Sequence, residues 1–320
     1  MLSLSQNFIE LFKKEVEKIM RNSSAAKRLP LMQSAGSMVY KTWMLWPAVI
    51  LLAIFFIWPI LMALYYSFTN LALSGAAAKN LEFVWFDNYA KMLKDKDMIK
   101  SIRATIIFLL GSVAGQTLLG FIFAYLMKGK NATFRRITGS CILTGWVMPQ
   151  VVAAICMYAF FYNKDTGTLN RIIGLLGAEP VAWLYDHALL AVTIANIWHG
   201  AAYSMMVFQA ALDNVPADTT ESAMLDGANP WQTLIHITIP QIKGTVFSNT
   251  MLITLKTIGV FELIFTMTGG GPAGKTQTLP VYMYLQAFKS FQLGYGSAIS
   301  VVLLVMGIML SVLYTRVYKE

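Results

Sequence analysis

Long apolar runs separated by short polar segments dominate the chain. An α-helix rises 1.5 Å per residue, so a run of about 20 apolar residues crosses the hydrocarbon core of a bilayer. Six runs meet this requirement, and we predict membrane-spanning helices at residues 43–68, 104–127, 139–162, 187–212, 244–267 and 294–314. The predicted fold class is therefore all-α, in a polytopic membrane protein with six transmembrane helices.

The polar start of the chain, residues 1–41, contains seven Lys and Arg and several apolar residues at helical spacing. This combination predicts a basic amphipathic helix on a membrane surface. A solvated leader without such a helix is an open alternative. In both cases we predict a leader at 1–41 followed by a membrane domain at 42–320.

A polar segment between the fourth and fifth runs, residues 213–240, has the pattern of two short helices that meet at a bend. Asparagine caps a helix start, proline fits a first helical turn, and glycine ends a helix. The signals are, in chain order, Asn214, Pro216, Gly227, Asn229, Pro230 and Pro240. They predict one helix that starts at Asn214 and Pro216 and ends near Gly227. A second helix is predicted from Asn229 and Pro230 to residue 236, before Pro240 breaks the chain again.

The composition agrees with a membrane protein. The 320 residues are 57% hydrophobic and only 13% charged, with a mean hydropathy of +0.57, which lies outside the range of soluble domains. The net charge is +9, but no aromatic and basic motif of nucleic-acid binding accompanies it. We therefore attribute the charge to loops that face lipid headgroups and expect no nucleic-acid partner.

The distribution of Lys and Arg predicts the orientation. Six spans place both termini on one side, which carries fourteen Lys and Arg against ten on the other, while Lys256 lies within a span. The short basic loop at 128–138 decides the assignment, because short loops follow the positive-inside rule most strongly. Both termini and the 213–240 segment are therefore predicted to be cytoplasmic.

Residues 269–276, GGGPAGKT, match the pattern of a phosphate-binding loop. Such a loop follows a sheet strand and uses its backbone N–H groups, whereas this segment follows a predicted span, contains Pro272 and falls on the outer side. We therefore expect no nucleotide site in this chain. No Ser–His–Asp, Cys–His or metal-ligand spacing is present either, so we predict neither a catalytic nor a metal site.

Polar residues inside spans are costly in lipid and mark candidate functional sites. Asn196, Gly200 and Tyr203 share one face of the fourth span. Lys256 lies near the middle of the fifth, and a continuous helix would place Glu262 about 240° around from it. An amide and an aromatic ring suit a sugar ligand, whereas contact between helices is the alternative for Asn196 and Tyr203.

The 213–240 segment resembles the signature loop of the inner-membrane permease subunits of binding-protein-dependent ABC importers, in the maltose-type branch that carries sugars. That loop reads Glu-Ala-Ala, three residues, Gly, and later a hydrophobic–Thr–apolar–Pro ending. The matching residues are Glu221, Ser222, Ala223, Gly227, Ile237, Thr238, Ile239 and Pro240. Only Ser222 departs from the usual Ala.

The resemblance implies a type I ABC importer permease fold and a cytoplasmic loop that docks into a cleft of a separate ATPase subunit. The implied docking residues are Glu221, Ser222, Ala223, Asp226 and Gly227. In this family the positions that line the cargo cavity correspond to Asn196, Gly200, Tyr203, Ile253, Lys256, Thr257 and Val260.

The resemblance also implies the partners: a second permease subunit, two ATPase subunits that hold ATP and Mg, and a solute-binding protein. The chain itself would hold no cofactor and catalyse no reaction. It would be located in the bacterial inner membrane. A Lys at a cavity position suggests an anionic carbohydrate, such as a uronic-acid oligosaccharide, moved by alternating access.

Several alternatives stay open at this point. In one alternative, the cargo is glycerol phosphate or another non-sugar solute. In another, Lys256 pairs with a carboxylate of the partner permease. An ion-coupled carrier would work without partners, but the sequence shows no internal repeat of the kind such carriers have.

Overall fold

The computed structural model describes residues 45–75 and 78–319, and the predicted leader at 1–41 lies outside them. The described residues divide into two compact units, with the boundary between Met62 and Ala63. The helices of the described residues are α1 (Trp46–Ser67), α2 (Asp87–Lys94), α3 (Lys96–Met127), α4 (Ala132–Val147), α5 (Gln150–Phe160), α6 (Thr168–Gly174), α7 (Trp183–Asp186), α8 (Ala188–Asp213), α9 (Ala217–Leu225), α10 (Pro230–Ile258), α11 (Glu262–Thr268), α12 (Leu279–Tyr284) and α13 (Leu293–Lys319). A π turn, Leu285–Lys289, continues α12. The only β feature in the described residues is an isolated bridge between Thr69 and Phe83, so the predicted all-α class is confirmed.

The apolar helices correspond to the predicted spans. Within the described residues, α1, α3 and α13 are long and apolar enough to cross a membrane, and the bent pairs α4–α5 and α10–α11 raise the number to five if each pair is one span. The fourth predicted span corresponds to α8, which at 26 residues is about 39 Å long. Polar side chains interrupt the apolar sequence of α8 near its centre.

Two prolines inside helices are each preceded by a π turn. The turn Ala53–Ile57 precedes Pro59, and the turn Leu234–Thr238 precedes Pro240. In each case, the N–H of the residue before the proline bonds to the carbonyl five residues back. The wider turn accommodates a ring that has no N–H. The expectation that Pro240 breaks the second short helix is therefore wrong, and α10 continues to residue 258.

The second unit is organised around α3 and α8, which pack along each other. Glycines of α3 permit a close approach: a Cβ on Gly115 would lie 2.3 Å from Ile197 Cδ1, and one on Gly120 would lie 2.4 Å from Ser204 Cβ. Small residues at such an interface let helix backbones approach in lipid, where no hydrophobic driving force brings helices together.

Two apolar clusters lie at different heights of the α3–α8 pair. One contains Phe108 of α3, Val192 of α8 and Leu263 of α11. The other contains Ala124 of α3 and Phe208 of α8. The stretch of α8 between the two clusters carries the polar residues, so the candidate site lies between two packed layers.

The loops gather at two ends of this unit. Arg135, near the start of α4, forms an ion pair with Asp213 at the end of α8. This contact brings the basic segment at 128–138, which is helical from Ala132 onward, and the 213–240 segment to the same end. At the opposite end, Lys275 donates a hydrogen bond to the carbonyl of Tyr185 at 3.3 Å. Helices that cross a membrane in alternating directions place their connecting loops at two ends in this way.

A carboxylate ties three helices together at the second end. Asp95 caps α3 by accepting from the N–H groups of Asp97 and Met98. It also accepts hydrogen bonds from the hydroxyls of Tyr282 of α12 and Tyr295 of α13. Burial raises the pKa of Asp95, but these hydrogen bonds outweigh it and hold the pKa below its ordinary value.

Candidate functional site: a central cavity and an exposed helical element

A cavity of about 330 Å³ lies beside the polar centre of α8. The residues that line it are Gln116, Trp146, Gln150, Asn196, His199, Gly200, Tyr203, Ile253, Lys256, Thr257 and Val260. All seven residues that the sequence proposed for cargo binding belong to this lining. That they bind cargo stays a prediction.

The amide of Asn196 is a free donor beside the cavity. The residue is only 4% exposed, and within the described part of the chain its Nδ2 has no hydrogen-bond partner. A buried donor without a partner costs about 1–3 kcal/mol. A ligand that offers an acceptor would remove this cost, and so would an acceptor on the helix of another subunit, so contact between helices stays the alternative for Asn196.

Gly200 acts through its missing side chain. A Cβ at this position would lie 2.2 Å from Oε1 of Gln116, so only glycine lets the Gln116 amide lie against α8. Gln116 is itself buried within α3. Gly200 therefore makes room at the cavity for the amide of Gln116, a residue that the sequence analysis did not select.

Lys256 lies over aromatic rings. Its Nζ is 4.3 Å from the ring centroid of Tyr203 and 5.7 Å from that of Trp146, and the two rings are 5.7 Å apart at an interplanar angle of 32°. Contacts of this kind stabilise an ammonium group by about 0.5–2 kcal/mol. The aromatic pair therefore positions a positive charge at the cavity without neutralising it.

A break in the third predicted span supplies the cavity residues that sequence reasoning missed. Pro149 cannot donate a backbone hydrogen bond and disfavours a helical conformation at Met148, which is extended with ψ 132°. As a result α4 and α5 meet at 101°, with Trp146 and Gln150 on either side of the bend. A ring nitrogen of His199 lies 3.2 Å from the Met148 carbonyl, so the histidine satisfies a group that the break leaves free.

The fifth predicted span is also interrupted. α10 ends at Ile258, Gly259 follows as its C-cap, and α11 starts at Glu262 with a bend of 49°. The 240° separation between Lys256 and Glu262 assumed a continuous helix and is therefore wrong. Val260 lies in the break, where it is buried and lines the cavity.

The 213–240 segment contains an exposed helix that ends in a glycine bend. Gly227 has a φ of +84°, a left-handed conformation that costs any residue with a Cβ about 1–2 kcal/mol. Its N–H bonds to the Met224 carbonyl, and that of Ala228 bonds to the Ala223 carbonyl, the pattern of a Schellman C-cap. The predicted helix end at Gly227 is confirmed.

The predicted docking residues lie mainly on the surface of this segment. Glu221, Ser222, Asp226 and Gly227 are exposed, while Ala223 is buried. Two apolar side chains that the sequence analysis did not select are exposed beside them, Leu225 at 88% and Trp231 at 67%. Contact with an ATPase stays a prediction, but a surface of this composition is typical of an interaction site.

The start of α9 differs from the expectation. Asn214 is the C-cap residue of α8, and Pro216 occupies the N-cap position of α9 without a side-chain hydrogen bond. The predicted asparagine cap of the first short helix is therefore wrong, because Asn214 ends α8, and α9 starts only at Ala217. The cap of the second helix is correct: Asn229 and Gln232 form a reciprocal capping box, with both hydrogen bonds at 2.9 Å.

The GGGPAGKT segment follows the helix α11 and not a strand. The hydroxyl of Thr276, which a phosphate loop would direct to a metal ion, donates to the Gly271 carbonyl at 2.7 Å and lies 2.6 Å from the Thr268 hydroxyl. In residues 45–75 and 78–319, no group of three His, Cys, Asp or Glu side chains could hold a metal ion.

Comparison with known proteins gives a family match. The family described as "Binding-protein-dependent transport system inner membrane component" matches residues 116–319. The sulfoquinovosyl glycerol transport system permease protein of Agrobacterium fabrum is 28% identical over 287 residues, which cover 89% of this chain and 92% of that protein. The trehalose/maltose transport system permease protein of Thermococcus litoralis is 31% identical over 240 residues, which cover 73% and 79%.

Among solved structures, the chain is similar to one in the crystal structure of a bacterial alginate ABC transporter in complex with an alginate pentasaccharide-bound periplasmic protein. The TM-score is 0.76 at 18% sequence identity, and the match covers 89% of this chain and 96% of that chain. At this identity, the likeness shows a shared fold.

Proposed function

This chain belongs to the family of binding-protein-dependent transport system inner membrane components, and from that premise we propose that it is the permease subunit of an ATP-driven importer for an anionic carbohydrate. The protein is integral to the membrane and crosses it several times. The proposal concerns the energy source, the cargo, the partners and the orientation.

The observation that carries the proposal is a direct connection between the cavity and the exposed segment. α8 carries Asn196, Gly200 and Tyr203 and ends at Asp213, where the 213–240 segment starts. α10 starts inside that segment at Pro230 and reaches Lys256 about 39 Å further on. A force applied to the segment would therefore reach both walls of the cavity through rigid helices.

This arrangement suits alternating access driven by a partner. The exposed surface of α9 and Trp231 would dock on an ATPase subunit, and closure of two ATPases around ATP and Mg would move the segment and tilt α8 and α10. A second permease subunit would complete the pathway, and a solute-binding protein would deliver cargo to the opposite end. In this scheme the chain binds no cofactor, and both termini are cytoplasmic.

The cavity has the chemistry of a sugar site. Its lining combines amides of Gln116, Gln150 and Asn196 with the rings of Trp146 and Tyr203, and such groups hydrogen-bond hydroxyls and cover a sugar ring. Its volume falls in the lower range of small-molecule sites. Relatives named for trehalose/maltose and for multiple sugars support this cargo class.

The charge of the cavity favours an anionic cargo. Lys256 is the one Lys or Arg among the residues that line the cavity as described, and no Asp or Glu accompanies it there. An ammonium group without a carboxylate partner in a low-dielectric site attracts a carboxylate or phosphate. A uronic-acid oligosaccharide combines such a charge with the hydroxyls that the amides require.

The test is uptake by the complete importer reconstituted in vesicles. Lys256→Met should reduce uptake of a uronic-acid oligosaccharide about 10–100-fold, the value of one charge-assisted hydrogen bond, while uptake of a neutral oligosaccharide of the same length changes little. Lys243→Met is the matched control, since it removes an exposed ammonium group from the same helix outside the cavity.

An unchanged preference in Lys256→Met would exclude the anionic cargo. Uptake without ATP would exclude the ATP-driven importer and favour an ion-coupled carrier. Glycerol phosphate is the second candidate cargo, because its charge also suits Lys256. Faster uptake of glycerol phosphate than of any oligosaccharide would identify glycerol phosphate as the cargo in place of a carbohydrate.

A further inference from the structure

A second cavity, of about 600 Å³, lies at the end of the molecule opposite to the 213–240 segment. It is formed by the first turns of α3 and α8 and by the loop at residues 273–275. None of its lining residues lines the central cavity. The cargo site therefore does not account for it.

The rim of this cavity is positively charged. Its lining includes three cationic side chains, those of Lys100, Arg103 and Lys275, and one carboxylate, that of Asp186. Lys100 pairs with Asp97 at 3.0 Å, but both side chains are more than 60% exposed, so water screens this pair strongly. Arg103 forms no ion pair with any described residue. The rim therefore retains a net positive charge that suits a phosphate group.

The floor of the cavity is apolar and lies further along the helix axes from the end of the molecule than the cations. Lys100, Arg103 and Ile107 share one face of α3, because they are spaced by three and four residues, and Ile107 lies about 10 Å further along the axis than Lys100. Leu190 of α8 lines the same floor. The side chains of Ile107 and Leu190 are 48% and 52% exposed, so the floor is open to an apolar occupant.

The order of these groups matches that of a lipid. The predicted apolar run of α3 starts at residue 104, and that of α8 starts at residue 187. The cations therefore lie at the level of the lipid headgroups, and the floor lies at the level of the acyl chains. A small inorganic anion would leave the floor uncovered, and an acidic side chain of a soluble partner would have to enter the hydrocarbon layer to fill it.

We propose that this cavity binds an anionic glycerophospholipid, with its phosphate held by Lys100, Arg103 and Lys275 and an acyl chain along Ile107 and Leu190. The site lies in the outer leaflet if the orientation of the proposed function is correct. Binding of the lipid itself depends on neither the cargo nor ATP.

The test uses the full-length chain, with any subunits that co-purify, in phosphatidylcholine vesicles that contain spin-labelled phosphatidylglycerol or spin-labelled phosphatidylcholine. Electron paramagnetic resonance measures the fraction of each lipid that the protein immobilises. We expect phosphatidylglycerol to be preferred at least tenfold. The variant Arg103→Gln with Lys275→Gln should lose most of that preference, at about fivefold per cation.

The matched control is Lys164→Gln with Lys289→Gln, which removes two exposed ammonium groups at the same end but outside the cavity; it should keep the preference. Inorganic phosphate at 10 mM should not displace the lipid. Equal immobilisation of both lipids, equal loss in both double variants, or displacement by phosphate would overturn the proposal. So would chemical labelling of Lys275 that a soluble binding protein prevents and phosphatidylglycerol does not.

Failure of this proposal is distinguishable from failure of the proposed function. ATP-dependent sugar uptake without a lipid preference would exclude the lipid site and leave the importer intact. A lipid preference without sugar uptake would do the reverse.

Discussion

The central cavity and the 213–240 segment are built in opposite ways. The segment is held by short-range hydrogen bonds, such as the glycine C-cap at residue 227 and the capping box at Asn229, and it directs large apolar side chains outward. The cavity is assembled from five helices whose contributing residues lie as far apart as Gln116 and Val260, and its polar groups point inward. One region is suited to a macromolecular partner and the other to a small ligand.

This difference predicts that the two roles can be separated by mutation. Changes in the segment should weaken the association with the ATPase and leave cargo binding unaffected. Changes at the cavity should alter cargo binding and leave that association intact. Each of the following experiments would sharpen this contrast or abolish it.

The largest effect is expected for Leu225→Asp in α9. Burying a leucine in an interface contributes about 1.5–3 kcal/mol, and a buried aspartate adds the cost of an unpaired charge, so the affinity for the ATPase should fall at least about 100-fold. Co-purification of the ATPase measures it. Leu175→Asp is the control, because Leu175 is equally exposed at 87% but lies at the other end of the molecule. Equal loss in both variants would contradict a specific docking role.

A smaller effect is expected for Gly200→Ala at the cavity. The new methyl group would occupy the position of the Gln116 amide and displace the end of a flexible side chain, so the protein should still fold. Loss of one hydrogen bond to cargo should weaken binding about tenfold, as measured by calorimetry with the purified importer. Gly307→Ala, in α13, introduces a methyl group that meets nothing within 4 Å and should leave the affinity unchanged. Reduced ATPase association in Gly200→Ala would abolish the contrast.

Asn229→Ala should have a more limited effect, on the segment alone. It removes an N-cap and half of a capping box, a loss of about 1 kcal/mol, and should weaken ATPase association about fivefold through fraying of the start of α10. Asn131→Ala removes a comparable cap, since Asn131 accepts from the Phe134 N–H at 2.7 Å at the start of α4. Equal effects of the two variants on ATPase association would show that general instability, and not the segment, is responsible.

The smallest effect is expected at Asp95, which belongs to neither region. Its pKa in the folded protein lies below the ordinary 3.8, so its stabilising contribution is present above pH 3.8 and is lost as the pH falls through the lowered pKa. Asp95→Asn should lower the thermal midpoint at pH 7 by the equivalent of less than about 1 kcal/mol, since the group is only partly buried. Scanning calorimetry should show this difference closing below pH 3.8, with cargo binding and ATPase association unchanged. A difference that persists at acid pH would contradict the assignment.

The sequence was sufficient for the features that depend on neighbouring residues. The apolar runs predicted the helices, the glycine at residue 227 and the Asn229–Pro230 pair predicted the bend and the second cap, and the predicted permease fold is confirmed. Spacing alone placed Asn196, Gly200 and Tyr203 on one face of α8. Gln116 and His199 were missed, although each is a polar residue inside an apolar run and carried the same signal.

What the sequence by itself determined is the series of apolar helices and, within the 213–240 segment, the glycine bend at residue 227 and the Asn229 cap, because hydropathy and capping act over a few residues. Only the tertiary structure decided that the helices break at Met148 and at Gly259, that a π turn carries α10 past Pro240, and that Trp146 and Gln150 reach the cavity. The physical reason is that a proline or glycine signals a possible break, but packing against the neighbouring helices determines whether the helix bends there and by what angle.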